Sequence, residues 1–151
     1  MRAVADVTRG VVRAQIDIEA PIELVYESLT EPAQLMSWWG GGEYETYDWK
    51  IDLRPGGAWS VSTRGGGGPQ SVRGEYLEVE PPTRLVLTWL ASWDGFARTV
   101  IEYTLSRTAT GTRVTVVHDG FAGRPEACEG HAAGWHSVLG WLAAHAERHA
   151  S

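Results

Sequence analysis

Between Arg54 and Gly111 turn chemistry interrupts the chain about every ten residues, at Arg54-Pro55-Gly56-Gly57, at the glycines 65–68 with Pro69, at Pro81-Pro82, at Asp94-Gly95 and at Thr110-Gly111. That spacing fits antiparallel hairpins. The strands it delimits are Tyr44 to Trp49, Ala58 to Thr63, Val72 to Glu80, Arg84 to Ser92, Arg98 to Arg107 and Thr112 to His118. Past Gly120 to Pro125 the period changes. From Glu126 to His149 the chain reads as one long helix, with Trp135, Val138, Leu139, Trp141 and Leu142 on overlapping apolar faces. Upstream, Val12, Ala14, Ile16 and Ile18 alternate with Arg13, Gln15 and Asp17, the pattern of a half-buried strand over Val11 to Glu19. Pro21 then opens a short helix carrying Ile22, Val25, Tyr26 and Leu29 as far as Thr30. Pro32 breaks it, and a second helix runs from Ala33 to Trp38, stopped by Trp39 and three glycines. Strands followed by a terminal helix predict an α+β fold rather than βαβ units.

At 151 residues the chain suits one core, so residues 11–149 are expected to form a single domain behind a flexible segment over 1–10. A net charge of -6, a single lysine (Lys50) and no run of basic residues argue against nucleic acid as a partner, because phosphate binding needs clustered cations. Cys128 stands alone, which removes any intramolecular disulfide or cysteine-based metal cluster. His131, His136, His145 and His149 lack a HExxH-like spacing, so neither a metal nor another cofactor is expected. No stretch has the length of a membrane span and the first ten residues lack the apolar core of a signal peptide, so the expected address is cytoplasmic. The glycines 65–68 precede a strand rather than a helix, which makes them a hairpin tip and not a phosphate loop. The unusual feature of the composition is eight tryptophans, which predict either a bulky core or a surface built for apolar contact.

Several segments together resemble the proteins related to the C-terminal domain of the activator of Hsp90 ATPase, within the START-like (SRPBCC) superfamily. They are Ala20-Pro21-Ile22-Glu23-Leu24-Val25-Tyr26 with Leu29-Thr30, Trp38-Trp39, Asp52-Leu53-Arg54-Pro55-Gly56-Gly57, Gly74-Glu75-Tyr76-Leu77-Glu78-Val79, Pro82-Thr83-Arg84-Leu85 leading to Trp89, Gly111-Thr112-Arg113, His118-Asp119-Gly120-Phe121, and Gly134-Trp135-His136. The resemblance implies a helix-grip fold, in which a curved antiparallel sheet of six or seven strands surrounds the last helix and two short helices follow the first strand. It also implies functional breadth, since similar proteins include lipid and hormone binders, polyketide cyclases, antibiotic-sequestering proteins and co-chaperones. Dimers are common among them, so a homodimer is within expectation. The separate domain that the co-chaperones use to contact Hsp90 has no counterpart in this sequence, so an Hsp90-type partner is not expected.

Alternation along each strand assigns an inner face: Ile16 and Ile18, Trp59 and Val61, Leu77 and Val79, Leu85, Leu87 and Trp89, Ile101, Tyr103 and Leu105, and Val114, Val116 and His118. Glu75 shares the parity of Leu77 and Val79 and is expected to face inward with them. Trp135, Leu139 and Leu142 would form the floor, with Trp38 and Trp39 at the mouth. Trp59, Trp89 and Trp135 suit plain core as well as ligand contact, and His118 suits a hydrogen-bonded strand end as well as an acid or base. The leading functional expectation is non-enzymatic binding of a small hydrophobic, ring-containing molecule or lipid. Its candidate contacts are Trp38, Trp39, Trp59, Val61, Leu77, Leu87, Trp89, Ile101, Tyr103, Val116, His118, Trp135 and Leu139. The alternatives are a polyketide cyclase-like enzyme using His118, Tyr103 and Glu75 as acid–base groups, and a co-chaperone or other protein-interaction module.

Overall fold

A computed structural model describes residues 1–150. Eight antiparallel strands form one sheet: β1 (Arg2–Asp6), β2 (Val11–Ile18), β3 (Glu45–Ile51), β4 (Ala58–Arg64), β5 (Gln70–Glu80), β6 (Arg84–Ala91), β7 (Arg98–Arg107) and β8 (Thr112–Asp119). Their spatial order is β1-β2-β8-β7-β6-β5-β4-β3, so β2 pairs with the last strand and β3 forms the far edge. Helices α1 (Ile22–Thr30) and α2 (Pro32–Trp38) link β2 to β3, and α3 (Pro125–Ala150) closes the chain. This is the α+β order expected from the punctuation. The sheet bends around α3, which buries Val138, Leu139, Leu142 and Ala146 against it. Pro32 ends α1 and also opens α2, where its missing N–H costs nothing.

Within the segment 1–10 expected to be flexible, Arg2–Asp6 forms an edge strand. Arg2–Asp6 is paired along β2, with Val4 opposite Arg13, and the Gly10 N–H donates to the Asp6 carbonyl at 2.8 Å to close the turn. Its five residues are too few to carry a clear period of their own, and β2 together with α3 supplies the partners.

Two β-bulges decide which side chains reach the interior. In β5, Tyr76 lies opposite Leu87 and Glu78 opposite Val86, so Leu77 is an extra residue. One extra residue reverses the parity of everything on one side of it. Val72 and Tyr76 are therefore buried, whereas Glu75 is exposed and Leu77 only half-buried, which corrects the inward placement expected for both. In β3 the register slips between Tyr47 and Lys50 around Asp48 at φ 55°, and this turns Trp49 toward the core after Thr46. Gly74 is needed for a different reason. A Cβ there would lie 2.0 Å from the Thr88 carbonyl and 2.6 Å from the Trp59 indole nitrogen, so glycine lets that indole donate to the Thr88 carbonyl at 3.0 Å.

Candidate functional site

Seven of the eight tryptophans form a connected cluster, while Trp141 packs instead on Tyr44. Trp39, delivered by the end of α2, has its ring 5.2 Å from Trp38, 5.8 Å from Trp49, 6.1 Å from Trp89 and 6.4 Å from Trp135. Trp59 lies 5.8 Å from Trp89, and Trp93 packs on the outer edge of Trp89 at 6.3 Å. Six of the eight indole N–H groups are spent within the protein. Trp38 donates to the Ser28 carbonyl (2.8 Å), Trp39 to the Tyr44 hydroxyl (3.2 Å), Trp49 to Thr46 Oγ1 (3.0 Å) and Trp59 to the Thr88 carbonyl. Trp89 donates to His131 Nε2 (3.2 Å) and Trp135 to His118 Nδ1 (3.0 Å). With their polar edges satisfied, these side chains offer the interior only ring surface.

Trp39, Trp49 and Trp89 stand between two spaces. The inner one, enclosed by α1, α2 and the middle of the sheet, is filled down to about 30 Å³ by Leu29, Leu35, Trp59, Tyr76, Leu85, Leu87, Ile101 and Tyr103. The outer one is a cavity of about 260 Å³ beneath the β4–β5 hairpin, bounded by Val61, Thr63, the glycines 65–68, Gln70 and Val72 on the sheet and by Gly130, His131, Gly134, Trp135 and Val138 on α3. Tyr44, Thr46 and Trp93 complete its rim. Gly130, Gly134 and Val138 are spaced four apart and so lie along one face of the helix. A Cβ built on either glycine meets no atom within 4 Å. Trp93 rides on the 3-10 turn Ser92–Asp94, where Asp94 is paired with Arg124, and its ring stacks on His131 at 6.1 Å and 25°.

His131 on the cavity wall and His118, buried behind Trp135, both have their two ring nitrogens engaged. Thr99 Oγ1 donates to the Trp89 carbonyl (2.7 Å), so it accepts from His118 Nε2–H (2.7 Å), while His118 Nδ1 accepts from Trp135. His131 Nδ1–H donates to the Ala127 carbonyl (2.8 Å) and its Nε2 accepts from Trp89. Burial, reinforced by the nearby His131 and Arg124, holds the His118 pKa well below its ordinary value, and burial also lowers that of His131. Burial raises the Tyr103 phenol, which lies against Trp135 at 5.7 Å. Among the described residues no group of three or more His, Cys, Asp or Glu is placed to hold a metal ion.

The model of the activator of Hsp90 ATPase homolog 1-like protein family matches residues 19–147. The chain belongs to this family. Solved structures with the same START-like fold include a protein of Chromobacterium violaceum, 27% identical over 91% of this chain and 98% of that one (TM-score 0.77). Others are a protein of Nitrosomonas europaea, 22% identical over 93% and 96% (TM-score 0.80), and an AHSA1-like protein of Aeromonas hydrophila, 20% identical over 91% and 92% (TM-score 0.77). No curated protein matches the chain. Membership of this family fixes a fold that serves ligand binders and polyketide cyclase-like proteins alike. No helix among the described residues is long and apolar enough to cross a membrane.

Of the residues singled out from sequence, Trp39, Val61, Trp89 and Trp135 line the outer cavity, and Trp59, Leu87, Ile101 and Tyr103 line the filled inner space. Trp38, Val116, His118 and Leu139 are buried and border neither. The acid–base candidates are not brought together, since Glu75 is exposed and both His118 nitrogens are occupied. Sequence reasoning missed Tyr44, Thr46, Trp49, Thr63, Gln70, Trp93 and His131. One signal was available for His131, which precedes Trp135 by four residues on the same helix face. Trp49 was hidden by the bulge at Asp48, and Trp93 lies in a turn where no period applies.

Proposed function

We propose that this protein binds a small apolar, ring-containing molecule in the outer cavity and releases it unchanged. The observation that carries the reading is the pair Gly130 and Gly134. Glycine in a helix interior costs about 1 kcal/mol relative to alanine, yet both line the open side of the cavity, where an added Cβ meets no atom within 4 Å. A helix that forgoes this stability at two consecutive turns, both facing the same space, is keeping that space clear. Aromatic walls with spent polar edges and an apolar floor are the surroundings in which small ligands are held. The acid–base alternative gains no support, because His118, Tyr103 and Glu75 present no shared reaction space.

Gly134→Leu tests the reading. The variant should unfold at an equal or higher urea concentration than the parent and should lose at least tenfold in affinity for an apolar fluorescent probe such as anilinonaphthalene sulfonate's neutral analogue N-phenyl-naphthylamine. Unchanged affinity in a folded Gly134→Leu protein would sink the assignment of binding to this cavity.

A further inference from the structure

We propose that the ligand is an uncharged, flat aromatic carrying a carbonyl oxygen, bound with that oxygen toward Thr63 and Gln70; the proposal rests on the cavity reading above and adds its chemical class. Size comes first. A dry cavity of about 150 Å³ takes up benzene, so about 260 Å³ accommodates roughly two or three fused rings. Charge is excluded next, since no Asp, Glu, Lys or Arg lines the cavity among the described residues. The one titratable nitrogen base on its wall, His131, has both nitrogens committed. A carboxylate or ammonium placed there would be desolvated without a counter-charge.

The position of the oxygen follows from the sheet register. Val61 pairs with Val72, and one step toward the hairpin Thr63 pairs with Gln70, so two polar side chains sit side by side where the apolar face ends. The Ser92 hydroxyl donates to Gln70 Oε1 at 2.6 Å and accepts from the Ser71 N–H at 2.9 Å. This fixes the Gln70 carbonyl on Ser92 and leaves its amide N–H groups, like the Thr63 hydroxyl, without a partner among the described residues. Two neighbouring donors match the two lone pairs of one carbonyl oxygen. The glycine tip between them adds no side chain to crowd it.

The experiment compares fluorene, fluorenone, fluorene carboxylate and oleate by quenching of tryptophan fluorescence, checked by calorimetry. Fluorenone should bind about two- to tenfold more tightly than fluorene, the range that a neutral hydrogen bond contributes. That advantage should vanish in Thr63→Val/Gln70→Met while fluorene binding persists, which also shows that the variant is folded. Equal binding of fluorene and fluorenone by the parent protein would overturn the oxygen site. Tighter binding of the carboxylate would overturn neutrality, and tighter binding of oleate would overturn the ring class, each leaving the cavity itself intact. Failure of all four to bind would overturn the cavity reading and this proposal with it.

Discussion

The two ends of the tryptophan cluster use the same residue type for opposite purposes. In the inner space Trp59 is locked by its bond to the Thr88 carbonyl and surrounded by leucine, isoleucine and tyrosine, and only about 30 Å³ stays empty. In the outer space Trp93 is half exposed on a turn, glycines replace side chains on both the hairpin and α3, and about 260 Å³ stays open. Tryptophan content therefore says little about where a ligand sits. What separates cavity from core is the residues that are small. The inner half of the grip is close-packed, and the hairpin end is where free volume remains.

The sharpest way to break this contrast is at its packed end. Trp59→Ala should cost about 3–5 kcal/mol in urea unfolding, because a large buried ring leaves a void that its neighbours fill only in part. A loss near zero would mean that the inner space is not close-packed. A second perturbation acts on the two histidines packed against Trp89. Burial keeps His118 and His131 neutral in the folded protein, whereas in the unfolded chain they titrate near 6.5. The unfolded chain thus takes up protons first as pH falls. Stability should be fully present above about pH 6.5 and decline below it, by up to about 1.4 kcal/mol per pH unit for each histidine until its folded-state pKa is passed. Urea titrations at about pH 7, 6 and 5 measure the slope, and His118→Asn should reduce it to the part that His131 contributes.

At the open end the effects shrink and change sign. Gly130→Ala should stabilise by about 1 kcal/mol, since the methyl meets nothing and the helix gains propensity. A destabilised variant would show that the space is not free. Trp93→Ala should alter stability by no more than about 0.5 kcal/mol, as surface substitutions do, while weakening the binding of fluorenone severalfold. Unimpaired binding in this variant would remove Trp93 from the site and confine recognition to the buried wall.

Much of the fold was legible because it rests on local signals. Turn residues about every ten positions marked the hairpins, alternation placed Ile101, Tyr103, Val114, Val116 and His118 on the inner face of β7 and β8, and the change of period located α3 to within one residue at its start. The site was legible only in outline. Val61, Trp89 and Trp135 could be placed because they lie on uninterrupted elements and Trp39 because it ends α2, whereas Glu75 and Leu77 were misplaced because strand parity cannot be carried across a bulge that the sequence does not mark.

Sequence by itself determined the order of elements, the family, and an interior rich in aromatic rings, since periodicity and turn chemistry are properties of neighbouring residues. Tertiary structure alone decided three things. It paired Arg2–Asp6 with β2, it spent the nitrogens of His118 and His131 on tryptophan, threonine and backbone partners, and it set Gly130 and Gly134 opposite the glycine hairpin so that a cavity stays open there. Each depends on groups far apart in the chain meeting in space, and free volume in particular is a sum over all the side chains around it, which no local pattern encodes.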